Sequence, residues 1–287
     1  LTIRLIEKMS ITIRTNTTAS VAQRHLAEAG DVAAVNERRL ASGERITRAG
    51  DDAAGLSISS KIRGSVRSIN QGIRNTHDGV SMIQTAEGGM TEIGNLLVRI
   101  RELSVQGASD TVGAQERRMI DVEVGQLMQE VDRIADTTQY NGKRLLSSNG
   151  TELEIQVGKD NDPDADRYRI ERVRLNVGSE SLGLEEISTL TRDDARNNLY
   201  QVDLAIERLS RKRAELGALQ NRLFAGIAAG GVHSENLTAG RSRLADTEFA
   251  EATAALTRSQ IQTQSNLSVL AQSHTSANVA LKLIGNV

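Results

Sequence analysis

Residues Ile83–Gln106 read IQTAEGGMTEIGNLLVRIRELSVQ. Apolar or small side chains recur at Ile83, Ala86, Met90, Ile93, Leu97 and Ile100, in alternating steps of three and four. On an α-helix that spacing draws a narrow seam, the coiled-coil pattern, rather than the wider face of a globular helix. Opposite it stand Gln84, Glu87, Glu92, Arg99, Arg101 and Glu102. A seam this narrow is not buried by its own helix. Partner helices are required, and two stretches of the chain carry matching stripes.

The first partner is Ile120, Val124, Leu127, Val131 and Ile134, which begins after a loop at Gly107–Gln115. The second lies far downstream: Leu199, Val202, Ile206, Leu209, then Arg213, then Leu216 and Leu223. The expected fold is mainly α: a long antiparallel helical rod or coiled coil built from both chain halves, with one small β-hairpin region. The alternative, unrelated surface helices on a globule, is disfavoured by composition. Aromatic residues make up only 2%, with two Phe, three Tyr and no Trp, which leaves little to fill a thick core. A single Pro in 287 residues agrees with long uninterrupted helices.

The length would allow two compact domains, with 38% hydrophobic and 25% charged residues. A net charge of −2 supplies no global basic field, so neither nucleic acid nor an anionic membrane is implied as a partner. Of the 35 basic residues, 29 are Arg and 6 are Lys, a bias that packed interfaces or a GC-rich genome would each produce. The absence of Cys excludes disulfides, thiolate metal sites and Cys nucleophiles. No apolar run approaches membrane-spanning length, so no membrane insertion is expected.

Residues 1–8, LTIRLIEK, precede Met9 and are read as an upstream start translated through or a non-native extension, too short and too charged for a signal peptide. The bend LASGERITRAGDDAAGLSIS, Leu40–Ser59, separates two helices, with Asp51 or Asp52 as the N-cap of the second. Those paired aspartates lack partners that would complete a metal or acid–base site. Gly64, Gly72, Gly79, Gly88, Gly89 and Gly94 are costly inside a helix, and their recurrence predicts close packing against a neighbour. TTQYNGKRLL, Thr137–Leu146, is a turn centred on Asn141–Gly142.

Residues 151–177 are the β candidates, alternating at Leu153, Ile155 and Val157, then at Tyr168 and Ile170, then at Val173, Leu175 and Val177. The phase slip at Glu171–Arg172 predicts a bulge. Asp160, Asp162, Asp164, Asp166 and Glu171 have EF-hand ligand spacing, yet Ala165 replaces the central Gly and Pro163 interrupts the loop. An acidic solvated turn is the reading that fits. The downstream helix is expected from Arg192–Asp194 to about Phe224. Between Arg258 and Lys282 there is no Asp, Glu, Lys or Arg, while Leu267, Leu270, Ala277, Leu281 and Ile284 hold a three–four spacing that His274 interrupts. Too polar to span a membrane and too neutral for a free surface, this segment is built to be enclosed.

Taken together, these segments resemble bacterial flagellin over essentially the whole chain from Met9. The N-terminal likeness lies in ITIRTNTTASVAQRHL, LASGERITRAGDDAAGLSIS, NQGIRNTHDGVSMIQTAEGGMTEI, LVRIRELSVQ and TQYNGKRLL. The C-terminal likeness lies in LGALQNRL, ENLTAGRSRLADTEFAEATAALTRSQI, SVLAQ and ALKLI. The family's QAN-x-x-P stands here as QSHTSAN, without the Pro.

The resemblance implies a structural subunit, exported without a cleaved signal, that polymerises into an extracellular filament for swimming. It implies a terminal coiled-coil domain at 9–50 plus 244–287, whose seam of Leu256, Leu267, Leu270, Leu281 and Ile284 also meets the export chaperone. It further implies a rod domain at 51–243 with a β-hairpin at 151–177 and no outer variable domain. The filament cap and hook-associated proteins are implied partners. So is Toll-like receptor 5, through Arg99, Leu103 and Glu123. The related hook–filament junction protein is the alternative, against which Asp51–Gly55 (DDAAG) and Arg99–Leu103 (RIREL) speak. No H-E-x-x-H protease motif, triad or phosphate loop is present, so neither catalysis nor a cofactor is expected.

Overall fold

In the computed structural model, residues 15–147, 153–170, 175–185 and 187–284 are described. Helix α1, Thr17–Ser42, opens on Asn16, whose side chain accepts the Ala19 amide at 2.9 Å. It closes on Gly43, whose left-handed φ of 71° returns its amide to the Arg39 carbonyl at 2.8 Å. In the bend that follows, Asp51 accepts the Thr47 hydroxyl and amide at 3.0 Å and the Arg48 amide at 3.1 Å. These bonds, the Thr47 hydroxyl first, hold its carboxyl below the usual range. Asp52 accepts the Gly55 amide at 2.8 Å and so is the N-cap of α2, Ala53–Gly107. The paired aspartates are turn and cap.

The order continues with α3 (Ala114–Thr137), β1 (Gln139–Tyr140), β2 (Lys143–Arg144), β3 (Leu153–Gln156), β4 (Arg167–Ile170), α4 (Ser179–Leu182), α5 (Arg192–Ala245) and α6 (Phe249–Ile284). The chain divides into two compact units, Gly64–Leu237 and Leu1–Arg63 with Thr238–Val287.

In the first of these units α2, α3 and α5 share one core. Ile83, Ala86, Met90, Ile93, Leu97 and Ile100 of α2 are all buried, as are Ile120, Val124 and Val131 of α3. Leu127 and Ile134 lie half-buried against them. Arg101 pairs with Asp203 at 2.7 Å, Arg213 lies 3.7 Å from Glu87, and Ser234 meets Asn70 at 3.1 Å. The numbers fall on α5 as they rise on α2, so the two helices are antiparallel. On α5 the stripe turns slightly from the expected one. Val202, Leu209, Leu216 and Leu223 are buried, but Ala195, Asn198 and Ala205 are buried in preference to Leu199 and Ile206. Buried Asn198 is satisfied by donating to the Ser188 carbonyl at 2.6 Å.

Sequence predicts α5 to end near Phe224; it continues to Ala245 despite Gly226, Gly230 and Gly231. Close packing offsets the poor helix propensity of Gly226 and Gly230, while Gly231 faces nothing within 4 Å. A Cβ at Gly226 would stand 3.1 Å from the Tyr168 hydroxyl, and one at Gly230 would stand 3.2 Å from Ile73.

The stretch read as a turn at Thr137–Leu146 is a short hairpin. Tyr140 pairs with Lys143 around Asn141 and Gly142, whose φ values of 48° and 76° fit a two-residue primed turn. In the second hairpin Leu153 faces Ile170 and Ile155 faces Tyr168. Strand β4 ends at Ile170; Leu175 and Val177 are buried without belonging to it, and the expected bulge at Glu171–Arg172 lies outside the described residues. In the acidic turn, Asp162 accepts the amides of Asp164 and Ala165 at 2.9 and 3.3 Å, and Asp166 accepts that of Asp162 at 3.1 Å. These carboxylates serve the loop's own backbone.

Glycine makes the seat for this hairpin. At Gly72 a Cβ would collide with the Val157 carbonyl, and at Gly79 with the Ile155 side chain. Asn75, between them, donates to the Gln156 carbonyl at 3.0 Å. Gly89 has Thr138 and Leu146 within 2.8 Å of such a Cβ, and Gly94 has Leu209 at 3.5 Å. The expected close packing fails at Gly64 and Gly88, which face nothing within 4 Å. Behind the hairpin, two α3 aspartates strap the returning chain. Asp132 accepts the Ser179 amide at 2.8 Å, and Asp121 accepts the Thr189 amide at 2.6 Å.

Met90→Ala should destabilise the chain by about 3 kcal/mol, because its side chain is wholly enclosed and the cavity relaxes incompletely. Urea unfolding monitored by helical circular dichroism measures it. Gly79→Val should cost about 2 kcal/mol by overpacking against Ile155, whereas Gly88→Ala should raise stability by about 0.5–1 kcal/mol. Equal responses of the two glycine variants would show that the hairpin seat is not the reason for Gly79.

Candidate assembly surfaces

Helices α1 and α6 run antiparallel, pinned near the bend by Arg45 donating to the Ala245 carbonyl at 2.7 Å and Thr247 to that of Gly43 at 2.9 Å. The side chains that close this pair repeat every seven residues. On α1 they are Ala19, Ala22, Leu26, Ala29, Ala33, Asn36 and Leu40, of which Ala19, Ala22, Ala29 and Asn36 are buried. On α6 they are Ala252, Leu256, Ser259, Thr263, Asn266, Leu270 and Ser273, with Ala252 and Ser259 buried and the rest half-buried. Small side chains let two helices approach closely, at the cost of burying little apolar surface.

Leu256 and Leu270 therefore lie in the expected seam, but Leu267 does not. It is 49% exposed, because the seam passes through Thr263, Asn266 and Leu270 and leaves Leu267, one position past Asn266, on the flank of the helix. Leu281 and Ile284 belong to α6, though their side chains lie outside the described residues. Other large apolar groups of this unit lie outside that seam. Ile261 is 63% exposed, and Val21, Val32, Val269 and Val279 are exposed with it. A stretch of about six helical turns without charge and with exposed aliphatics is the kind of surface that marks interaction sites.

A second surface lies on the rod. Arg99 donates to Glu123 at 2.9 Å and to Glu102 at 3.1 Å, bridging α2 to α3 and rising further above its ordinary pKa through these bonds, that to Glu123 first. All three side chains are exposed, so the pairs add little stability and leave their charges available. Val98 and Val105 on α2 and Val122 and Met119 on α3 are exposed around them, Met119 at 66%. Leu103 corrects the expected trio. It is 2% exposed and belongs to the rod core, since it continues the Leu97–Ile100 spacing inward. Its neighbour in sequence, Val105, is the exposed aliphatic, and continuation of the seam by three more residues was the signal that separates them.

Among the described residues, no group of three or more His, Cys, Asp or Glu converges as a metal site, and no helix is long and apolar enough to cross a membrane.

The comparisons with known proteins agree with this architecture. Residues 13–151 match the bacterial flagellin N-terminal helical region, and residues 199–284 match the bacterial flagellin C-terminal helical region. The flagellar filament 30.7 kDa core protein of Treponema maltophilum is 37% identical over 283 residues, which is 95% of this chain and 99% of that protein. A flagellin of Halalkalibacterium halodurans is 38% identical over 246 residues, covering 86% and 89% of the two chains. The crystal structure of Bacillus cereus flagellin superposes with a TM-score of 0.48 and 29% identity over 55% of this chain and 88% of its own. These relatives are filament proteins, which leaves the hook–filament junction alternative with less support. The chain belongs to the bacterial flagellin family, as a structural subunit of the flagellar filament and not an enzyme.

Proposed function

We propose that the two units divide the work of polymerisation. Residues 9–50 and 244–287 form the inner, terminal coiled-coil domain of the filament, and residues 51–243 form the rod around it, with the hairpin region at 151–177 and no outer variable domain. The observation that carries this reading is the outer face of the terminal unit: its seam holds four half-buried leucines among small residues, while Ile261, Leu267, Val269, Val21 and Val32 are exposed outside it. Neighbouring subunits supply the cover. Each such side chain, once enclosed, contributes roughly 1.5–3 kcal/mol relative to water, and every subunit added to the polymer gains it again.

The same outward face of α6 is the surface for the export chaperone before assembly, with Leu256 and Leu270 reached only when α1 is undocked. The filament cap and the hook-associated proteins meet the subunits at the filament's ends, outside the cell. On the rod, Arg99 and Glu123 are the surface that Toll-like receptor 5 would read on a free subunit, framed by Val98 and Val122. Leu103 takes part only by holding α2 in place.

Ile261→Asp places a charge where the neighbouring copy would close, so seeded growth should stop, with filaments lost from electron micrographs and from the sedimenting fraction. Burying the unpaired carboxylate would cost several kcal/mol per subunit. The free chain, in which Ile261 is already exposed, should keep its helical signal and Tm. Normal filaments from this variant would overturn the outward-face reading. Arg99→Ala should lower receptor signalling by free subunits without changing Tm, and an unchanged response would remove the rod surface from that role.

A further inference from the structure

The chain's single proline makes one peptide bond unlike the rest, Asp162–Pro163, in the acidic turn between β3 and β4. A bond to proline is a tertiary amide, whose nitrogen is more basic than that of an ordinary peptide and leaves more readily once protonated. An aspartate on its acyl side carries a carboxylate that reaches its own carbonyl carbon through a five-membered ring, an intramolecular attack with a high effective concentration. The residue pair alone makes a bond that acid breaks. The fold adds further parts.

The carbonyl oxygen of Asp162, which gathers negative charge when its carbon is attacked, accepts the Asp166 amide at 3.0 Å. That donor is anchored in turn, because the Asp166 carbonyl accepts the Val157 and Gly158 amides at 2.8 and 3.0 Å. The Asp166 carboxylate accepts the Asp162 amide at 3.1 Å, closing a clasp around the bond. On the Asp162 carboxylate, the amides of Asp164 and Ala165 both bind Oδ1, so Oδ2 is the attacking atom. Those bonds, that of Asp164 first, hold the carboxyl below its usual range and keep it ionised in more acid medium. The charged neighbours within the hairpin are Asp164, Asp166, Asp160 with Lys159 at 2.5 Å, and Arg167, bonded to Asn161 and Glu154. Helix α2 meets the hairpin through Gly72, Asn75 and Gly79, none of them titratable, and α5 through Arg222, 5.4 Å from the Tyr168 ring centre.

We propose that Asp162–Pro163 is a self-cleaving bond, which the folded turn breaks in acid to leave a two-piece subunit. Oδ2 attacks the Asp162 carbonyl carbon, a C–O bond forms, and the C–N bond to Pro163 breaks as its nitrogen takes a proton from the acidic medium. One water then opens the cyclic anhydride left on Asp162, giving the side-chain carboxyl and a new terminal carboxyl. The cut lies between elements that close on each other. In the rod, α2 and α3 precede it and α5 follows; in the terminal unit, α1 precedes it and α6 follows. Each unit is therefore held by helices from both pieces.

Full-length free subunits are held at the lowest pH that preserves the helical circular dichroism signal, beside the same chain unfolded in urea at that pH. Mass spectrometry follows the products. Fragments 1–162 and 163–287 should form about tenfold faster, or more, in the folded chain. Asp162→Asn, which removes the nucleophile, and Pro163→Ala, which restores an ordinary amide, should each slow the cut by about tenfold or more. Asp166→Ala, which opens the clasp, should bring the folded rate down to that in urea. After neutralisation the two fragments should co-elute as one helical species in size exclusion. An equal or slower rate in the folded chain would mark an ordinary acid-labile pair and overturn the proposal, as would an unchanged rate in Asp166→Ala. Fragments that separate would overturn the two-piece subunit.

Discussion

The narrow apolar seam of α2 is the constraint on which the rest of the rod depends. A stripe from Ile83 to Leu103 is too thin to hide against one neighbour, so α3 and α5 must close over it from two directions. That requirement brings together parts of the chain separated by about half its length, and explains why both halves are needed for one core. The hairpins and the two aspartate straps then fasten the intervening chain onto this bundle. Their contacts combine backbone and side chain: the Gln156 carbonyl for Asn75, and the amides and hydroxyls of Thr189 and Ser179 for Asp121 and Asp132.

The terminal unit follows the opposite rule. Its seam holds four leucines among alanine and short polar residues, and Ile261, Val269 and Val279 are exposed outside it. A helix pair of this kind gains little from closing on itself. The two units thus show two ways of using helices, one with its aliphatics enclosed in a shared core and one that leaves Ile261, Val269 and Val279 exposed.

Helix existence, pairing and direction in the rod are legible in the sequence because three–four spacing is set by backbone geometry and survives any choice of aliphatic residue. The same holds for the caps at Gly43 and Asp52. What escapes is whatever alanine and glycine decide. Ala195 and Ala205 are buried in place of Leu199 and Ile206, since a small side chain sits nearer the bundle axis while its larger neighbours fill the flank. Gly72 and Gly88 look alike as letters, yet one bears a carbonyl and the other faces open space. Leu267 is one small rotation from the expected face, which depends on the partner helix, whereas the burial of Leu103 was legible in the spacing of Leu97 and Ile100. The assembly surface of α6 was readable only as a neutrality without hydrophobic density; which side faces out required α1 beside it.

That neutrality also separates the two units in their response to the ionic medium. From Ser259 to Leu281 helix α6 carries no formal charge, so contacts made there have no Coulombic part for dissolved ions to screen. Excluded salts such as sulfate strengthen them, as they strengthen any apolar burial. The rod's exposed links, Arg99 to Glu123 and Arg101 to Asp203, are of the kind that loses force once the Debye length shrinks to about 10 Å or less. A filament built this way keeps its least salt-sensitive cohesion in the helices that carry no charge, and confines its salt sensitivity to a surface where little stability is at stake.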